Sequence, residues 1–196
     1  MILKLLQELE QQSIKRGLPI IGSEKGAWLH QKVQEHQPKK VLELGTAVGY
    51  SGIILGSEGA ELTTIELDER LAREAGENFK KFRTAAQVVV GNAVEEVRKL
   101  ASKPRHHEKF DLIFIDHTKS QYREVLDDCF QLLKKGGVLI ADNITFTGCQ
   151  DFKEIVLAHR ELKTEIINIR DGLSYSQKLA VPKVAYASGV KPRLKL

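Results

Sequence analysis

Residues Val41 to Ser51 read V-L-E-L-G-T-A-V-G-Y-S: a short apolar strand, a turn bearing Gly45 and Gly49, and the start of a helix. The same order recurs along the chain. The apolar runs V-L-E-L, L-T-T-I-E, A-Q-V-V-V, D-L-I-F-I and G-V-L-I-A each precede a helix-compatible stretch. Strands alternating with helices predict βαβ units, a parallel sheet and right-handed crossovers. The class is α/β. Upstream, Ile2, Leu5, Leu6 and Leu9 fall at helical spacing, so an amphipathic helix opens the chain. A loop, R-G-L-P-I-I-G, follows, and a second helix is expected to start near Ser23, with Pro38 just beyond its end. After a further helix past Asp151, T-E-I-I-N-I-R and L-S-Y-S-Q-K-L flank Asp171-Gly172, which predicts an antiparallel hairpin.

A chain of 196 residues, 42% hydrophobic and 29% charged, is long enough for one well-buried domain and short for two. No repeat, low-complexity tract or linker divides it, so a single domain spanning 1–196 is expected. Two cysteines imply no disulfide framework. The net charge of +4 is a mild basic bias, gathered at Lys183, Lys191, Arg193 and Lys195. A solvated or disordered tail over 183–196 is the plain reading, and nucleic-acid contact the sharper one. The opening M-I-L-K-L-L-Q-E-L-E turns polar too soon for a signal peptide, and no apolar run spans a bilayer. A cytoplasmic protein with no membrane partner is expected, as a monomer or a homodimer.

The Gly45–Gly49 spacing is G-x-x-x-G, not the G-x-G-x-x-G of pyrophosphate-binding turns. The turn has no basic residue, and Glu43 lies in the strand before it. That combination suits a cofactor carrying positive charge better than one carrying phosphates, with an ordinary βα turn as the alternative. Glu66 ends the next strand, about twenty residues on, where an acid can hold both hydroxyls of a ribose. As a helix-start carboxylate Asp68 is better placed. Together these residues point to an adenosine-containing ligand. Further along, D-L-I-F-I-D-H-T-K-S-Q-Y ends its strand on Asp116 with His117 and Lys119 close behind, and G-V-L-I-A ends on Asp142-Asn143. If those two strands are neighbours, two carboxylates and an amide oxygen converge, a hard donor set suited to Mg²⁺. The alternative is that Asp142 caps a helix and Asn143 fills a turn. Lys119, one helical turn after Asp116, becomes a usable base beside a divalent cation, or else is a solvated charge. His106 and His107 have no ligand partners at suitable spacing and read as loop.

E-L-G-T-A-V-G-Y-S, T-I-E, F-I-D-H-T-K-S-Q-Y and L-K-K-G-G-V-L-I-A-D-N-I, in that order, resemble the S-adenosylmethionine-dependent O-methyltransferases of the catechol O-methyltransferase type. The resemblance runs from roughly Ile21 to Lys178. It implies a Rossmann-like class I methyltransferase fold: a mostly parallel seven-stranded sheet, helices on both faces, and a C-terminal antiparallel hairpin. Residues 1–37 would form a lid. By the same resemblance Glu43, Gly45, Gly49 and Ser51 shape the methionine side of the cofactor site, and Glu66 holds the ribose. Asn92 and Ala93 line the adenine, where Asn92 replaces the commoner Asp, and Ile21, Tyr50, Leu67, Asp116 and His117 complete that site. Asp116, Asp142 and Asn143 match the magnesium ligands, Lys119 the general base, and Glu165, counted back from Asp171-Gly172, the acid that binds the second catechol hydroxyl. Lys119, Asn143 and Glu165 would therefore meet the acceptor. Thr118 and Thr147 stand where the family has a Trp and a Pro, leaving Phe146 to supply the pocket wall. The implied reaction is Mg²⁺-dependent methylation of a small catechol-like molecule. A tRNA hydroxyuridine O-methyltransferase of the same fold, using the basic tail, and a non-catalytic nucleotide-binding module are the alternatives.

Overall fold

The computed structural model describes residues 2–103 and 109–180. The His106–His107 loop and the basic tail lie outside the described residues. Seven strands form one sheet in the order β3-β2-β1-β4-β5-β7-β6. They are β1 (Lys40–Leu44), β2 (Glu61–Glu66), β3 (Ala86–Val90), β4 (Phe110–Ile115), β5 (Leu133–Asp142), β6 (Leu162–Ile167) and β7 (Leu173–Lys178). Strands β1 to β5 are mutually parallel. Strand β7 runs antiparallel to both β5 and β6, wedged between them. The hairpin expected around Asp171-Gly172 therefore exists, but its second strand is the one that joins the sheet.

Central strands read as continuous apolar runs because both faces are covered. Alternate side chains go to opposite cores. Leu42 and Leu44 of β1, Ile113 and Ile115 of β4, and Leu139 and Ala141 of β5 pack under α6 (Ala93–Ala101), α7 (Tyr122–Leu132) and α8 (Gln150–Ala158). Val41, Leu112, Phe114, Val138 and Ile140 face the other way. There they meet α1 (Ile2–Leu5), α2 (Gln7–Lys15), α3 (Gly22–His36), α4 (Tyr50–Leu55) and α5 (Glu69–Lys81). The opening helix is interrupted at Leu6, which is fully buried. Helix α3 starts one residue before the expected Ser23, and its Ser23 N–H donates to Glu10 Oε1 of α2 at 2.8 Å. Asp68 caps α5 by accepting from the N–H groups of Arg70 and Leu71, as its position in the sequence suggested.

The chain leaves β1 toward β2 on one side, and β4 then returns to its other side, so the order reverses between β1 and β4. Such a switch point opens a crevice beyond the carboxyl ends of the strands. Two contacts hold the ends of β1 and β4 together there. Asp116 N–H donates to Leu44 O at 2.8 Å, and Gly45 passes so close that a Cβ on it would lie 2.2 Å from Asp116 O. Gly45 also has φ +95°, a conformation that L side chains avoid.

Gly59 has a comparable φ of +83° but open space around its Cα. Gly59→Ala is therefore expected to cost about 1 kcal/mol from backbone strain alone, and Gly45→Ala more than about 3 kcal/mol. Urea unfolding of both variants separates strain from collision, and equal losses would show that the β1–β4 approach is not tight.

Candidate active site

A cleft of about 710 Å³ opens at the switch point. Its lining includes Ile21, Gly45, Tyr50, Ser51, Glu66, Leu67, Asn92, Ala93, Asp116, His117, Lys119, Asp142 and Asn143. Pro19, Ile20, Ile21 and Lys25 border it from the segment before and inside α3. Thr118 and Phe146 line it as well, and Phe146 is about half exposed, so an aromatic wall is present on that side.

At one end, the side chain of Glu66 is fixed by the backbone of the turn after β1. Its Oε2 accepts from Thr46 N–H at 3.1 Å and Ala47 N–H at 2.8 Å, and its Oε1 from Asp68 N–H at 2.9 Å. A carboxylate held this way presents a fixed edge to the cleft. Asn92 caps α6, its Oδ1 accepting from Val94 and Glu95 N–H, a local role that an amide fills as well as an acid does.

Glu43 is expected at the cofactor, but it does not line the cleft. Its side chain, on the α4 face of β1, is fully buried. It accepts from Ser51 Oγ at 2.5 Å and from Thr64 Oγ1 at 2.7 Å. Burial pushes its carboxyl up to about 8, against the opposing pull of those two hydroxyls. Glu43 is thus largely protonated at neutral pH and acts by orienting Ser51, not by offering charge to a cation. Gly49 likewise turns its missing side chain toward the Phe79 ring, 3.0 Å away, rather than toward the cleft.

At the other end, Ile115 of β4 and Ala141 of β5 are register partners. The next residue on each strand, Asp116 and Asp142, is therefore side by side with the other. Burial raises the pKa of both, and the charge of Asp142 raises that of Asp116 further. Each has an ammonium against it. Lys119 Nζ donates to Asp116 Oδ1 at 2.5 Å and to Tyr122 Oη at 3.0 Å. Lys25 Nζ donates to Asp142 Oδ1 and to Asp171 Oδ1 in two very close contacts. Asn143, held at φ +54°, sends its Nδ2 to Asp171 Oδ2. Burial would raise Asp171, but Lys25 and the Asn143 amide outweigh it and hold that carboxyl low. His117 stacks on Tyr122 with ring centroids 5.2 Å apart. Burial, helped by Lys119, brings its imidazole down to about 4, so it is neutral at pH 7.

Glu165 does not come to the cleft. It sits in the body of the outermost strand β6, exposed, opposite Tyr175. Counting back from Asp171-Gly172 assumes a tight turn, whereas the connection runs over residues 168–172 with Arg170 at φ +54° and Gly172 at φ +74°. That longer arch delivers Asp171 to the cleft instead. The sequence reading missed both Asp171 and Lys25. A signal for Lys25 existed: it precedes Leu29 and Val33 at helical spacing on the buried stripe of α3, where a cation needs a partner.

Among the described residues no three His, Cys or carboxylate side chains converge as a metal cage. The donor set here is two carboxylates and one amide. It is hard and oxygen-only, which fits a hard divalent ion, and the lysines on its two carboxylates show that the site carries negative charge in need of a cation.

The O-methyltransferase family model matches residues 2–179. The chain belongs to this family. Catechol O-methyltransferase B of Danio rerio is 34% identical over 174 residues, covering 80% of this chain and 64% of that protein. The chain thus spans under two thirds of that relative's length. Catechol O-methyltransferase of Sus scrofa is 33% identical, covering 88% of this chain and 95% of that one. Among solved structures, the O-methyltransferase from Bacillus cereus in complex with SAH superposes with a TM-score of 0.79 at 25% identity, covering 88% of this chain and 90% of that one. Among the described residues no helix is long and apolar enough to cross a membrane.

The displaced Glu43 titration sets a pH test. Its carboxyl titrates near 4.5 in the unfolded chain and near 8 in the fold, so the native state resists ionising it. Its contribution to stability is whole below 4.5 and is lost as pH rises through 8. Denaturant unfolding at pH 5 and pH 8 is expected to show Glu43→Gln losing less stability than the parent across that interval; parallel losses would mean Glu43 is charged in the fold.

Proposed function

We propose that the protein transfers a methyl group from S-adenosylmethionine to one hydroxyl of a small catechol-like acceptor, with Mg²⁺ held by Asp116, Asp142 and Asn143. The observation that carries the reading is a single cleft with a diol-holding carboxylate, Glu66, at one end and a hard oxygen donor set with an adjacent lysine at the other. The catechol O-methyltransferase names of two relatives support the acceptor class, and the SAH complex of the Bacillus cereus enzyme supports the cofactor.

S-adenosylmethionine supplies an electrophilic methyl on a sulfonium when bound. Glu66 and the 45–47 turn hold its ribose side, Asn92 and Ala93 its adenine side, and neutral His117 packs without adding a charge. Ser51, oriented by Glu43, faces the amino-acid end. Mg²⁺, when bound, supplies a hard Lewis acid for a pair of adjacent acceptor oxygens. Lys119 Nζ, as the neutral amine released from its ion pair with Asp116 and kept on station by Tyr122, would take the proton of the reacting hydroxyl. Phe146 and the Pro19–Ile21 loop exclude water, with residues 1–37 serving as the lid. Fixing acceptor and methyl donor at short range contributes much of the acceleration. Glu165 has no part in this scheme.

Methyl transfer from labelled S-adenosylmethionine to a catechol panel is expected with Mg²⁺ and lost with EDTA. Lys119→Ala should lower turnover by about 10²–10⁴-fold, the usual worth of a general base, with partial recovery at high pH. Turnover that ignores EDTA would remove the metal from the scheme.

Cofactor binding should survive chelation, because Glu66 and the donor set occupy opposite ends of the cleft. Calorimetry with and without EDTA measures this, and no binding heat in either condition would sink the cofactor assignment.

A further inference from the structure

Lys25 lines the cleft, yet the proposed reaction does not use it. Its side chain is 2% exposed and projects from the core-facing stripe of α3 into the acidic cluster. A buried ammonium is costly unless fully partnered, and here its partners are chosen with care. Asp142 Oδ1 accepts from Lys25 and, at 2.8 Å, from Asn143 N–H. Asp171 accepts Lys25 on one oxygen and the Asn143 amide on the other. Two of the three donors in the metal reading are thus tied into one cluster whose cation is Lys25. The third, Asp116, is tied to Lys119.

We propose that Lys25 is a built-in counter-ion that gates the metal site: it holds Asp142 while no divalent ion is bound and retreats to Asp171 alone when one arrives. The inference rests on the metal reading above. A divalent ion and an ammonium cannot share Asp142 Oδ1 without strong repulsion. Asp171 offers the displaced ammonium a carboxylate already in contact, so Lys25 need not leave the cluster. Because Lys25 belongs to α3, metal entry is felt by that helix and by the segment before it that borders the cleft. Lys25 is accordingly a positioning residue that sets metal affinity and couples it to closure.

Lys25→Met keeps an unbranched chain one atom shorter and removes the charge. Mn²⁺ titration followed by water-proton relaxation, with Mg²⁺ calorimetry beside it, should show tighter binding than the parent. Changes around a metal site move affinity by about 10–100-fold, here toward tightening, whereas a purely structural lysine would leave affinity unchanged or weaken it. Equal or weaker metal affinity in a folded Lys25→Met protein overturns the gate. A variant that folds only with Mn²⁺ present supports it, since the metal then replaces the missing ammonium. If the variant folds in neither condition, the parent protein decides. Trp28, the only tryptophan, lies three residues after Lys25 and edge-on to Tyr175, ring centroids 6.1 Å apart. Its emission should change along the Mg²⁺ binding isotherm, and a flat signal during measured binding overturns the coupling. If neither parent nor variant binds either ion, the metal reading itself fails and the gate falls with it; binding without tightening leaves that reading standing and removes only the gate.

Discussion

Two carboxylates at neighbouring strand ends organise this molecule. Strands β4 and β5 are parallel and in register at Ile115 and Ala141, so Asp116 and Asp142 must emerge together. Like charges in a place poor in water repel and lose hydration, and both groups are pushed toward protonation. The surrounding structure answers with cations. Lys119 comes from the turn after β4, and Lys25 comes from α3, far away in sequence. The second answer ties the N-terminal helices to the C-terminal edge of the sheet, since Asp171 on the β6–β7 connection shares the same ammonium.

The Glu66 end of the cleft shows how environment assigns different work to similar groups. Glu43 and Glu66 lie on adjacent strands of one sheet. Glu66 reaches the turn and accepts three backbone N–H groups. Glu43, below the sheet surface, finds only two hydroxyls and is driven to about 8 by burial. One becomes a fixed edge of the cleft. The other is a neutral prop for Ser51. The close pass of Gly45 over Asp116 links the two ends, since the turn that presents N–H groups to Glu66 leans on the backbone of the residue that begins the acidic cluster.

What the sequence determined by itself is the local grammar. Apolar runs broken by helix-compatible stretches specify the α/β class. The residues that close those runs, Glu66, Asp116 and Asp142-Asn143, are carried to the carboxyl edge of the sheet simply by ending parallel strands. Asp68 as a helix cap is equally local, because a cap bonds only to the next turn. Pairing between distant segments decided the rest. The placement of β7 between β5 and β6 depends on pairing between segments more than thirty residues apart, the five-residue arch that brings in Asp171 and leaves Glu165 in the strand depends on turn geometry, and the insertion of Lys25 between two acids depends on contacts across more than a hundred residues. A strand's alternation says that a side chain has two faces to choose from, but not which face meets water. The side of β1 that received Glu43 was settled only when α4 packed upon it, because burial and partners belong to the assembled fold rather than to any one segment.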